Sequence, residues 1–153
     1  MIKILFVCHG NICRSPMAEF IMKDIVNRNH RNDDFYIESA ATSSEEIWNG
    51  VGNPVYPAAK KKLAEHGISC DGKHARQIQS SDYDKYDFII GMDDRNIQNM
   101  LPVFQYDPQR KIHKLLEYTG STKSISDPWY SGDFDTAYQE INQGCIALFE
   151  YLK

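Results

Sequence analysis

Residues Ile2 to Val7 form an almost unbroken run of apolar and β-branched side chains that stops abruptly at Cys8-His9-Gly10-Asn11. A short apolar run without alternation is the pattern of a strand covered on both faces, as in parallel sheets. Beyond the break, Ser15-Pro16 reads as an N-cap followed by a proline at the first helical position, and Met17, Phe20, Ile21 and Ile25 recur at helical spacing. A buried strand passing through a tight loop straight into a helix commits the chain to an α/β architecture, because parallel strands are joined through crossover helices.

The rest of the chain continues the alternation. Phe35 to Ala40 suits a second strand, and Pro57 to His66 a short helix ended by Gly67, a residue suited to the left-handed position after a helix. Phe88-Ile89-Ile90 between polar flanks reads as a third buried strand, with Asp93 or Asp94 capping a helix that runs toward Met100. Lys111 to Leu115 is a weaker fourth strand, and Ala137, Tyr138, Ile141, Cys145, Leu148, Phe149 and Leu152 mark a closing amphipathic helix from Phe134. The pattern predicts a small parallel sheet with helices on both faces, whose ligands bind at the carboxyl ends of the strands, where the loop from Cys8 to Arg14 lies.

A chain of 153 residues is the length of one domain, so 1–153 is expected to fold as a unit. At that size about 68–70% of the unfolded surface can be buried, which leaves no need for disulfides or a structural metal. The four cysteines at 8, 13, 70 and 145 are therefore expected to be reduced thiols, and no signal-peptide core or membrane span is evident, which points to the cytoplasm. Lys and Arg number 17 against 21 Asp and Glu, a formal net charge of -4, which argues against nucleic-acid and membrane partners.

The segment Cys8-His9-Gly10-Asn11-Ile12-Cys13-Arg14-Ser15 joins a strand to a helix N-terminus, so its backbone N–H groups should converge on one point that favours an anion. Gly10 allows close backbone approach or a positive φ, and Asn11 tolerates a left-handed conformation. Arg14 offers a planar fork of donors that matches two oxygens of a phosphoryl group. Helix N-termini and nearby arginines lower thiol pKa values from about 8.5 into the range of about 3.5 to 7.5, so Cys8 is expected to be a thiolate nucleophile. A zinc site at Cys8 and Cys13 is disfavoured, because no second pair of suitable spacing exists among Cys70, Cys145 and the five histidines.

The run Val7-Cys8-His9-Gly10-Asn11-Ile12-Cys13-Arg14-Ser15-Pro16-Met17-Ala18-Glu19 closely resembles the signature of the low molecular weight protein tyrosine phosphatases. Further stretches are similar at matching places, including Glu38-Ser39-Ala40, Trp48-Asn49-Gly50, Gly52-Asn53-Pro54, His74-Ala75-Arg76-Gln77, Met92-Asp93 and Asp127-Pro128-Trp129-Tyr130. The resemblance implies a four-stranded parallel sheet in flavodoxin-like order and a two-step hydrolysis of phosphotyrosine monoesters that needs no metal or cofactor. It implies Cys8 as nucleophile, Arg14 as phosphate clamp and Asp127 as general acid and base, with His9, Gly10, Asn11, Ile12, Cys13 and Ser15 forming the phosphate loop. Spacing alone would read Asp127 as an aspartate that initiates a turn before proline.

By the same resemblance Ser15, besides capping the helix, donates to the Cys8 sulfur, and Asn11 fixes the loop with Ser39 as partner. Many relatives place a histidine in that network, where this chain has Lys73. Ile12, Trp48, Trp129 and Tyr130 would wall a slot for a flat aromatic ring, and Tyr130 is also a candidate for phosphorylation. Cys13 is a candidate redox partner that would protect Cys8 as a disulfide, Cys145 belongs to the core stripe, and Cys70 carries no functional signal. The expected partners are a tyrosine-phosphorylated protein or peptide, with phosphate and other oxyanions as inhibitors, acting on a monomer. Arginine phosphatases of the same fold carry threonine where Ile12 stands, arsenate reductases need two further mid-chain cysteines, and a mere phosphate-binding module has no use for both Cys8 and Asp127.

Overall fold

The computed structural model describes residues 1–153. Four parallel strands, β1 (Ile2–Cys8), β2 (Phe35–Ala41), β5 (Phe88–Gly91) and β6 (Ile112–Lys114), lie in the order β2-β1-β5-β6. A two-stranded antiparallel hairpin, β3 (Ile47–Trp48) and β4 (Val51–Gly52), stands apart from that sheet. The helices are α1 (Arg14–Arg28), α2 (Pro57–Glu65), α3 (Asp82–Lys85), α4 (Asp94–Val103), α5 (Pro128–Ser131) and α6 (Phe134–Leu152). No helix is long and apolar enough to cross a membrane.

Strand β1 is apolar from Ile4 to Cys8 because both its faces are covered there. Ile4, Phe6 and Cys8 point into a core cluster that includes Met17, Ile21, Met22 and Ile25 of α1 and Ile141, Cys145 and Leu148 of α6. Leu5 and Val7 point the other way, into a smaller cluster with Tyr86, Ile89, Met100 and Phe104. The period of two along a strand divides its residues between the two layers. Cys145 is fully buried on the α6 stripe, and Cys70 packs into the larger cluster.

Two local expectations are corrected. Helix α1 begins at Arg14 with Cys13 as its N-cap and no side-chain cap, so Ser15 does not cap it and Pro16 is its third residue. The Ser15 hydroxyl is engaged elsewhere, as described below. The fourth strand is shorter than Lys111 to Leu115, because Leu115–Thr119 winds into a 3-10 turn. The predicted cap of α4 holds at Asp93, whose carboxylate accepts the Asn96 N–H at 2.8 Å while the Asn96 side chain accepts from the Asp93 N–H.

The hairpin β3–β4 lies in what the sequence reads as polar loop. Gly52 lets it approach the segment after Lys73, since a Cβ there would stand 1.8 Å from the Ala75 carbonyl oxygen. This contact, with the Asn53 carbonyl accepting the Ala75 N–H at 2.9 Å, ties the hairpin to the carboxyl edge of the sheet.

Candidate active site

The carboxyl end of β1 delivers Cys8 to the start of α1, and three donors converge on its sulfur. The Asn11 and Ser15 backbone N–H groups reach Sγ at 3.3 Å and 3.4 Å, and the Ser15 Oγ lies 3.0 Å away. Such convergence on a strand-to-helix turn is the geometry of an anion cradle. The left-handed residue of the loop is Asn11, with φ of 60°, and not Gly10. Gly10 serves close approach instead, since a Cβ there would stand 3.2 Å from the Glu46 side chain.

Asn11 is held on every polar atom. Its Oδ1 accepts the Arg76 backbone N–H at 3.1 Å, and its Nδ2 donates to Ser15 Oγ at 2.8 Å and to Ser39 Oγ at 2.9 Å. A left-handed conformation costs a non-glycine residue about 1–3 kcal/mol and persists where neighbours over-determine it, as they do here. The Ser39 hydroxyl donates in turn to Glu19 at 2.6 Å, and Lys73 Nζ lies 3.1 Å from the same carboxylate oxygen. His74 is outside this network and meets the Gly52 carbonyl at 2.9 Å.

Arg14 is 3% exposed, and both terminal nitrogens of its guanidinium are engaged. Nη1 donates to the Ile125 carbonyl at 2.9 Å, and Nη2 lies 2.8 Å from Asp93 Oδ2 and 3.4 Å from Asp127 Oδ2. Asp93 thus uses one carboxylate oxygen to cap α4 and the other to aim Arg14. Asp127 does likewise, accepting the Trp129 N–H on Oδ1 at 3.1 Å, which makes it the N-cap of α5. Cys8, Arg14 and Asp127 are thereby linked through one short stretch of structure, although Asp127 lies 113 residues after Arg14.

The aromatic wall is only partly as expected. Ile12 is buried with Cys13 and Ala75, and its carbonyl accepts the Tyr56 N–H at 2.8 Å. The Tyr56 ring meets Trp129 edge to face at 5.1 Å and stacks on Phe134 at 6.0 Å, so Tyr56 couples the loop to the Asp127 segment. Trp48 and Tyr130, 79% and 82% exposed, stand clear of the core, and neither ring meets the Tyr56–Trp129 pair. His9 turns its ring outward to Glu45 at 2.8 Å, while its carbonyl accepts from Ser43.

Burial pushes the Cys13 thiol up to about 12, and the neighbouring charges of Cys8 and Asp127 add to the rise. No group of three or more His, Cys, Asp or Glu is gathered where it could hold a metal ion. Sequence reasoning missed the second duties of Glu19, Lys73, Asp93, Arg76 and Tyr56. The available signal was Glu19 itself, a charged residue within the apolar stripe of α1.

A profile of the family described as low molecular weight phosphotyrosine protein phosphatase matches residues 3–153. The low molecular weight protein-tyrosine-phosphatase YfkJ of Bacillus subtilis is 37% identical over 97% of this chain and 94% of its own. Its crystal structure superposes with a TM-score of 0.93, covering 99% of this chain and 94% of that one. The low molecular weight protein tyrosine phosphatase SP-PTP from Streptococcus pyogenes is 40% identical, with a TM-score of 0.87, over the whole of this chain and 94% of its own. The Drosophila arginine phosphatase DARP is 32% identical with a TM-score of 0.86, covering 99% of this chain and 98% of that one. With a four-stranded parallel sheet in the order β2-β1-β5-β6 and this profile match over residues 3–153, the chain belongs to the low molecular weight protein tyrosine phosphatase family of hydrolases.

Proposed function

We propose that residues 1–153 act as one domain that hydrolyses phosphotyrosine monoesters of proteins or peptides through a phosphocysteine. The observation that carries this reading is the Cys8 sulfur beneath three converging donors, with Arg14 and Asp127 in contact beside it. In the first step the Cys8 thiolate attacks phosphorus in line, and the bond to the tyrosyl oxygen breaks. Loop N–H groups and Arg14 hold the three equatorial oxygens, and Asp127 gives its proton to the departing phenolate. In the second step Asp127 takes a proton from water as the water oxygen attacks phosphorus. The electron pair of the P–S bond returns to sulfur, where the Ser15 hydroxyl stabilises it.

Preference for an aryl ester is supported by the aromatic pair Trp129 and Tyr56, with the exposed Tyr130 next to Trp129 in sequence. The aliphatic Ile12 and the paired aromatics after Asp127-Pro128 favour phosphotyrosine over phosphoarginine. Closure of a Cys8–Cys13 disulfide after oxidation of Cys8 belongs to the same reading. Turnover of phosphotyrosine, phosphoserine and phosphoarginine peptides tests the assignment. Phosphotyrosine should be hydrolysed fastest without added metal, and Cys8→Ala should abolish turnover; undiminished hydrolysis by Cys8→Ala sinks the covalent mechanism.

A further inference from the structure

Asp127 is carried by a stretch of chain that is tied to the rest of the molecule at the two residues before it. The Ile125 side chain is buried, and its N–H donates to the Met92 carbonyl at 2.8 Å. Just beyond, one peptide unit is gripped on both sides. Its oxygen, the Ile125 carbonyl, accepts from Arg14 Nη1 at 2.9 Å, and its N–H, that of Ser126, donates to Glu140 Oε1 at 2.9 Å. The C=O and N–H of a trans peptide point to opposite sides within one plane, so Arg14 of α1 and Glu140 of α6 hold that plane between them.

The two holds are not redundant. A carbonyl oxygen accepts over a broad range of directions, so the Arg14 contact alone lets the plane turn about the line joining the Ile125 and Ser126 Cα atoms. A second bond on the N–H side removes that turn, and with it the freedom of the Ser126 φ, which decides where Asp127 is delivered. The Asp127 side chain does little to fix itself, since its contact with Arg14 is long, 3.4 Å, and it is 31% exposed. Glu140 is free for the task. Of the acidic residues in α6, Asp135 pairs with Lys62 and Glu150 with Lys153, whereas Glu140 meets no cation and its one hydrogen bond is to Ser126. We infer that Glu140 is a positioning residue that fixes the Ile125–Ser126 peptide and thereby holds Asp127 where it can protonate the leaving oxygen.

The inference rests on reading Asp127 as the general acid, and the test keeps the two apart. A well-placed acid matters most where the leaving oxygen is most basic, so the readout is the ratio of kcat/KM for phenyl phosphate to that for p-nitrophenyl phosphate. Asp127→Ala should lower this ratio most. Glu140→Ala should lower it about tenfold, a part of the about 10²- to 10⁴-fold that a general acid supplies. Glu140→Gln, whose amide oxygen can still accept from Ser126, should keep most of the native ratio. Added to Asp127→Ala, Glu140→Ala should lower it no further. Thermal melting separates lost folding from lost turnover, and Glu140→Met, a good helix former of similar length, carries the test should Glu140→Ala not fold. A native ratio in folded Glu140→Ala, an equal fall in Glu140→Gln, or a further fall on top of Asp127→Ala overturns the inference. A native ratio in Asp127→Ala would instead overturn the acid reading beneath it.

Discussion

The loop between β1 and α1 and the segment from Asp127 to Gly132 both reach Arg14, yet they are held in different ways. In the first, Asn11 and Ser15 are almost wholly buried, and the Asn11 side chain is bonded on both of its polar atoms. In the second, Trp129 and Tyr130 are 55% and 82% exposed, and the segment is fixed by Pro128, by the Asp127 cap and by the contact of Trp129 with Tyr56. Groups that must stabilise developing charge sit where water is excluded and their geometry cannot relax. Groups that meet variable substrate sit where side chains can be exchanged at small cost to the fold. On the proposed mechanism, the difference separates chemistry from selection within one site.

That division can be broken at several points. The largest effect should come from Asp127→Ala, about 10²- to 10⁴-fold in kcat for esters with poor leaving groups. Rate against leaving-group pKa should steepen in the variant, and an unchanged slope would remove Asp127 from the proton transfer. Next, Asn11→Ala deletes three buried hydrogen bonds at about 1 kcal/mol each and should lower stability by about 3 kcal/mol in urea unfolding. Its kcat should fall as well, whereas a loss confined to KM would place Asn11 with the rim.

Trp129→Ala, on the exposed side, should raise KM for phosphotyrosine peptides severalfold, in line with about 1 kcal/mol for an aromatic contact. It should leave the melting temperature close to native; a large drop would make the rim structural. The smallest effect concerns the support behind Asn11. There burial acts to raise the Glu38 pKa, but hydrogen bonds from Tyr86 and Tyr36 and the charges of Lys85 and Arg76 outweigh it and hold the carboxyl below its ordinary 4.5. A depressed folded value contributes stability above about pH 4.5 and loses it as pH falls through the folded value. The stability gap between native protein and Tyr86→Phe should therefore narrow on acidification below that pH in urea titrations. A gap that widens instead would reverse the sign.

Apolar patterning locates β1, α1 and α6 well, because α1 and α6 present long apolar stripes to one core and β1 is buried on both faces. The hairpin β3–β4 escapes it, since two-residue strands leave no period to read. Cys8, Arg14 and Asp127 are recognisable through a family signature, whereas what aims them is not. Ser15-Pro16 carries the pattern of a helix cap, but its hydroxyl is claimed by Asn11 and Cys8, and a tertiary partner outweighs a local one. Asp93 is legible as a cap and silent about Arg14, 79 residues away. Lys73 stands where a histidine is familiar, and only the fold brings it to Glu19.

The order in which the chain is made gives the Arg14 contacts another meaning. Cys8 and Arg14 are synthesised before the groups that orient the guanidinium, Asp93, the Ile125 carbonyl and Asp127, which follow Arg14 by 79 to 113 residues. Strand β1 and helix α1 can form early, but the arginine does not have all its partners until the segment from Ile125 to Asp127 has docked. A truncated or half-synthesised product would thus carry the signature loop without a working clamp, and activity would report on completion of the whole fold.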